Sequence, residues 1–143
     1  LKKTPLNICE VELTVPFHDL DAMQVVWHGH YLKYFEVART ALFSGYGIDL
    51  YTYFQETNIL FPIVKTFTKH VMPLRHNDRF SCVAALEEVQ YKIVVDFEIR
   101  LLANSQICTR GRSEQVAVKF PEMEMMLQIP NDIRNIMEPK NEK

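Results

Sequence analysis

The 143 residues are 48% hydrophobic and 24% charged, with a formal net charge of -2. That balance excludes a disordered or low-complexity chain, and a domain of this length can bury a core without disulfide staples. It also argues against a dedicated nucleic-acid binder, which needs a basic surface.

The cysteines Cys9, Cys82 and Cys108 are odd in number and contain no C-x-x-C pair. They read as small apolar fillers in a reducing, cytoplasmic setting. No stretch approaches the ~20 apolar residues that span a bilayer. The opening Leu1-Lys2-Lys3-Thr4-Pro5 lacks the apolar run of a signal peptide. With no repeat and no linker, a single domain over residues 1–143 is expected.

Residues 9–17 alternate, with Cys9, Val11, Leu13, Val15 and Phe17 on one face, which predicts a half-buried strand. Pro16 marks its end or an edge. Residues 28–44 place Tyr31, Leu32, Phe35, Ala38, Ala41, Leu42 and Phe43 at helical spacing. Only a thin stripe of Lys33, Glu36 and Thr40 is polar, so this helix is expected to be mostly enclosed. Gly45 is placed to end it. Asp49 is placed to cap a second short helix, Leu50 to Glu56.

From about Leu60 the pattern turns to strand: Ile63–Val71, Arg79–Gln90, Tyr91–Ala103 and Gln106–Phe120. His76-Asn77-Asp78 and Asn104-Ser105 read as turns. Gly111 inside a strand suggests a bulge. The Met123-Glu124-Met125-Met126 run suggests a strand end or an interface patch. Pro130-Asn131-Asp132 opens a short helix ending near Pro139. Strands segregated from helices indicate α+β, an antiparallel sheet of about five strands wrapped around one long central helix.

Chemistry concentrates in residues 17–39, which hold Asp19, Asp21, His18, His28, His30 and the single Trp27 between the first strand and the long helix. A helix amino end offers unpaired N–H groups and partial positive charge, which can hold a carbonyl oxygen and the oxyanion formed from it. A nearby carboxylate can attack that carbonyl or activate water. Asp21 is the candidate carboxylate and His28 the candidate helix start. Asp19 is expected to accept structural hydrogen bonds in the loop, His30 to pack, and Glu36 and Arg39 to form an anchoring i,i+3 pair. His28-Gly29-His30 is not expected to bind metal, because the two rings diverge at a helix start.

This segment resembles the signature of the 4-hydroxybenzoyl-CoA thioesterase branch of the hot-dog superfamily, roughly D-x-D-A-x-G-x-V-(aromatic)-H-x-N-Y followed by E-x-x-R. The chain supplies Asp19, Asp21, Ala22, Val26, Trp27, His28 and Tyr31, then Glu36 and Arg39. Pro73-Leu74-Arg75-His76-Asn77-Asp78 resembles the family's weaker P-x-x-x-x-D motif. The likeness covers nearly the whole chain.

It implies hydrolysis of an acyl thioester, carried by CoA or an acyl carrier protein, to a carboxylic acid and a thiol. Asp21 would be nucleophile or general base, and His28 would polarise the carbonyl through its N–H. Gln24, Trp27 and Tyr31 would line the substrate. No metal and no redox cofactor is called for, coenzyme A entering only as part of the substrate. The resemblance further implies a homodimer joined sheet edge to sheet edge, or a homotetramer, with the site at the interface.

Arg110 and Arg112, with Lys119, could meet CoA phosphates or form an ordinary solvated face. Two departures stand out. Gln24 replaces the usual Gly, so the loop is expected to differ locally with the side chain entering the pocket. His30 replaces Asn or Ser. The alternatives are a non-catalytic acyl-thioester binding module, a hot-dog 3-hydroxyacyl dehydratase, and a purely structural dimer subunit.

Overall fold

The structure, a computed structural model, describes residues 7–138. The N-terminal segment read above for a signal, and Pro139, lie outside the described residues.

The main sheet is antiparallel with strand order β1-β4-β5-β6-β3, formed by β1 (Ile8–Thr14), β3 (Ile63–His70), β4 (Arg79–Glu88), β5 (Ile93–Leu101) and β6 (Ile107–Gln115). A small second sheet, ordered β2-β7-β8, joins β2 (Ile59–Leu60), β7 (Val118–Lys119) and β8 (Glu124–Met125). The helices are α1 (His30–Gly45), α2 (Leu50–Thr57) and α3 (Asn131–Met137).

Helix α1 lies on one face of the main sheet, chiefly against β1 and β4. Its side chains Tyr31, Tyr34, Phe35, Ala38, Leu42 and Phe43 are buried at the spacing one helical face provides. Phe35 stacks on Phe97 of β5 with centroids 4.5 Å apart, and Tyr34 meets Phe80 of β4 at 4.9 Å. Burying one such ring contributes roughly 1.5–3 kcal/mol. The sheet supplies the other half of the core through Phe80, Cys82, Ala84 and Leu86 of β4 and Ile93, Val95, Phe97 and Ile99 of β5. Burial lifts the Cys82 thiol to about 12, so it behaves as an inert filler.

Several expectations hold. Thr14 ends β1 just before Pro16. Asp49 caps α2 by accepting from the Tyr51 N–H at 3.1 Å. Both turns form, with Asn77 and Ser105 at φ 65° and 60°.

Others are corrected. Phe17 does not continue the apolar face of β1, because the chain turns into a 3-10 segment over Phe17–Asp19 and leaves that ring exposed. Gly45 stays helical, and Gly47 takes the left-handed conformation at φ 76°. Helix α1 is not enclosed, because a single sheet covers one side only and leaves Leu32 and Val37 exposed.

Gly111 makes no bulge: it pairs in register with Thr68 and Phe97. Its role is close approach, since a Cβ there would lie 2.4 Å from the Phe35 ring. The last long strand is broken, because after Gln115 the chain leaves the main sheet, Val116 bonding to Pro62, and joins β2 as β7. Met125 of β8 is exposed.

Candidate active site

The loop from Asp19 to Gly29 is folded back on itself and tied to the amino end of α1. The Asp21 N–H donates to the Val25 carbonyl at 2.8 Å, and the Gln24 N–H donates to the Asp21 carbonyl at 3.0 Å. The Asp21 carboxylate accepts the Met23 N–H at 2.8 Å, which fixes its rotamer while leaving it half-buried and open to a ligand. Val26 donates to Leu74, and Val25 bridges Arg75, so the loop rests on the segment after β3.

Gln24 has φ 67°, so the loop keeps the left-handed turn and does not differ locally. The side chain is exposed at the tip. A non-glycine residue there carries strain of about 1–2 kcal/mol.

Asp19 is the anchor of this assembly. It is 0% exposed and accepts Lys33 Nζ at 2.8 and 2.9 Å and the Tyr34 hydroxyl at 2.5 Å. Its partners are thus helix side chains and not loop backbone. Burial pushes its carboxyl up, but the hydrogen bonds from Lys33 and Tyr34 and the charges of Lys33 and His30 outweigh that and hold it below the ordinary range. Its backbone carbonyl accepts the Trp27 N–H at 2.9 Å, so loop and helix are locked from both sides.

The amino end of α1 follows. Gly29 is the N-cap position without a side-chain cap. A Cβ there would fall 2.2 Å from the Trp27 ring, so glycine lets the indole lie over the backbone. Trp27 also meets the rings of His28 at 5.1 Å and His30 at 5.4 Å. His28 is exposed and stands two residues before the first residue of α1, because the helix begins later than the start predicted at residue 28. Among the described residues, the backbone N–H groups of His28 and Gly29 donate to nothing.

Tyr31, expected at the substrate, lies beneath the loop. It is buried, and its hydroxyl accepts the Leu74 N–H at 3.2 Å beneath the loop, because helical spacing turns it toward the sheet.

Arg110 and Arg112 do not join this group. They flank Gly111, which faces α1, so strand alternation turns both to the opposite face. There Arg112 grips Asp96 at 2.6 and 3.1 Å, and Arg110 reaches Glu98 at 3.2 Å.

One neighbour of the site escaped the sequence reading. His70 ends β3 with its ring edge-on to Tyr31 at 4.7 Å and Nδ1 3.5 Å from Thr109 Oγ1. Burial, then the charge of His28, push it below the ordinary histidine value, which keeps it neutral near pH 7. Period two from Thr66 and Thr68 was the signal that could have placed it on the helix side of the sheet.

No cluster of three or more His, Cys, Asp or Glu side chains is placed to hold a metal ion among the described residues. No described helix is long and apolar enough to cross a membrane.

Comparison with known proteins identifies the fold and the family. A Bacillus subtilis (strain 168) protein named "Putative acyl-CoA thioesterase YneP" is 30% identical over 95 residues, 66% of this chain and 68% of its own. A 1,4-dihydroxy-2-naphthoyl-CoA thioesterase from Synechocystis superposes with TM-score 0.83 at 18% identity, covering 91% of this chain and 95% of that one. A mutant 4-hydroxybenzoyl-CoA thioesterase in complex with 4-hydroxybenzoyl-CoA gives TM-score 0.82 at 16% identity, over 92% and 99%. Both structural likenesses are of fold, and the fold is the hot-dog: an antiparallel sheet with a long helix packed on it. Residues 15–135 match the family model of the thioesterase-like superfamily, and the chain belongs to that superfamily.

Proposed function

We propose that the protein hydrolyses an acyl-CoA thioester to a carboxylic acid and free CoA thiol. The observation that carries this reading is that the Asp21 loop is tied to the amino end of α1, through the Trp27 N–H on the Asp19 carbonyl and Lys33 and Tyr34 on the Asp19 carboxylate, and that the His28 and Gly29 N–H groups at that end are unpaired. The thioester carbonyl oxygen accepts from the His28 N–H, and the same N–H stabilises the oxyanion as it forms. In one route an Asp21 oxygen attacks the acyl carbon, thiolate leaves, and water opens the resulting anhydride. In the other, Asp21 takes a proton from a water that attacks directly. A single turnover in 18O-labelled water separates them, because only the first can leave label in the Asp21 carboxylate. The chemistry calls for no cofactor beyond the CoA of the substrate. Gln24 and Trp27, both exposed in the same loop as Asp21, are the side chains we assign to the acyl thioester arm.

The proposed assembly is a homodimer through the free edge of β3. That strand is one of the sheet's two outermost, β1 being the other, and it exposes Ile63, Val64 and Phe67, a surface a second sheet edge would cover. Pairing there brings His70 and the site to the subunit boundary. Free Cys9, Cys82 and Cys108 support a reducing cytoplasm.

The test is thiol release across short, long and aromatic acyl-CoAs. Asp21→Asn should lower turnover by about 10²–10⁴-fold while leaving Tm nearly unchanged. Enoyl product without thiol would indicate a dehydratase instead, and binding without thiol release a carrier module. Either result, or an active Asp21→Asn protein, overturns the assignment.

A further inference from the structure

His70, the last residue of β3, stands at the amino end of α1 and takes no part in the chemistry proposed above. Thr68 of β3 pairs with Gly111, which faces α1, so His70, two residues on, shares that face of the sheet. Its ring lies edge-on to Tyr31, the second residue of α1, with centroids 4.7 Å apart. Only about 3 Å of helix rise separates Tyr31 from Gly29. The His28 side chain is near enough for its charge to act on the His70 ring. His70 therefore flanks the turn whose His28 and Gly29 N–H groups are unpaired.

The two ring nitrogens differ in their surroundings. Nδ1 turns inward, 3.5 Å from Oγ1 of Thr109, a residue with no exposed surface. His70 itself is exposed, and Nε2, which points away from Thr109, has no partner among the described residues. The outward nitrogen is thus the one a ligand can reach.

Hydrogen-bond directions fix the tautomer. The Tyr31 hydroxyl accepts the Leu74 N–H at 3.2 Å and bonds to the Thr109 side chain. With Leu74 already donating to it, Tyr31 gives its own proton to Thr109 Oγ1, and Thr109 gives its proton to His70 Nδ1. The ring proton is left on Nε2, facing out. Burial, then the charge of His28, keep the ring neutral near pH 7. The outward group is therefore an uncharged N–H.

A fixed N–H stabilises negative charge that appears beside it without giving up its proton. Thioester hydrolysis produces such charge at two atoms: the carbonyl oxygen as the carbon becomes tetrahedral, and the sulfur as thiolate leaves. We propose that His70 is a further catalytic residue, its Nε2–H donating a hydrogen bond to the negative charge that develops on the thioester. No proton leaves the ring. This role rests on the thioesterase reading; the tautomer does not.

The test begins with 15N-resolved NMR of the unaltered chain, using His70→Gln to assign the ring signals. Nδ1 should show the shift of a bare acceptor and Nε2 that of a protonated nitrogen; the reverse overturns the proposal. Titration with S-acetonyl-CoA, a ketone thioether that cannot be hydrolysed, should then move the Nε2–H signal saturably. Thiol release from acyl-CoA with Nε2–H unmoved by this probe overturns the role of His70 alone. No thiol release and no resonance moved overturns the thioesterase assignment, and this role with it.

Kinetics read the hydrogen bond itself. His70→Ala should lower kcat about tenfold or more with KM little changed. His70→Gln, which keeps an N–H near the place of Nε2, should retain more of kcat than His70→Ala. A kcat within about twofold of wild type in His70→Ala, or an equal loss in both variants, overturns the proposal. The leaving group then identifies the atom served. A loss that shrinks for aryl thioesters, whose thiolates leave readily, places the hydrogen bond on sulfur; an equal loss for aryl and alkyl thioesters places it on the carbonyl oxygen.

Discussion

Replacing Asp19 with Asn removes the negative charge that fastens the Asp21 loop to α1. In the native chain the carboxylate accepts Lys33 Nζ on both oxygens and the Tyr34 hydroxyl, and it has no exposed surface. A hydrogen bond to a charged group contributes about 1.5–3 kcal/mol. The Lys33 side chain is 49% exposed and can turn to water, so its share is discounted to about 1 kcal/mol or less. Tyr34 is buried and has no such escape, although Asn can still accept from it more weakly.

The expected loss is therefore about 2–3 kcal/mol, which for a chain of this length is a fall in Tm of roughly 7–10 °C. Urea unfolding at fixed protein concentration measures it, and Lys33→Met should lose about 1 kcal/mol or less in the same assay. The sign with pH also follows. Because the folded carboxyl lies below its unfolded value of 3.8, its contribution is present above that value and lost as pH falls through the folded one. The gap between wild type and Asp19→Asn should close in acid. A variant within about 0.5 kcal/mol of wild type at pH 7, or a gap that persists in acid, would refute the anchoring argument.

Gln24→Gly should raise stability by about 0.5–1 kcal/mol, because glycine relieves the left-handed backbone at φ 67° and gives back part of the gain in chain entropy; a loss in urea unfolding contradicts it. Gly29→Ala should cost about 1–3 kcal/mol by overpacking against Trp27, and emission of that sole tryptophan should shift as the ring is displaced. Phe67→Glu should weaken self-association at least tenfold by sedimentation, since the ring is 58% exposed on the free edge strand; unchanged association removes β3 as the interface.

What could be read without coordinates was whatever is local. The alternation of β1 up to Thr14, the Asp49 cap and the two turns depend on residues a few places apart and form as expected, although the strand stops short of Phe17 and the helix runs through Gly45. The Asp21 loop was legible through its resemblance, while its fastening was not, since Asp19 meets Lys33 and Tyr34 across fourteen and fifteen positions. Arg39 was read as half of an anchoring i,i+3 pair with Glu36, and that pair forms. Its burial depends on Phe97 and Ser113, strand residues far downstream that only the folded sheet brings to the helix. Tyr31 was assigned to the substrate because it sits in the motif, but helical phase turns it inward. The break after Gln115 was hidden because both halves of the last strand carry strand-like residues, and only the ladder partners change.

Helix α1 runs sixteen residues, a rod of about 24 Å. Its leading tip is fastened to Asp19, and its trailing half walls a groove that includes Arg39. Arg39 and the leading tip of this stiff beam lie about 15 Å apart, and positions so far apart with no shared partner behave nearly independently, so a change at the trailing end should leave the Asp19 anchor at the leading end untouched.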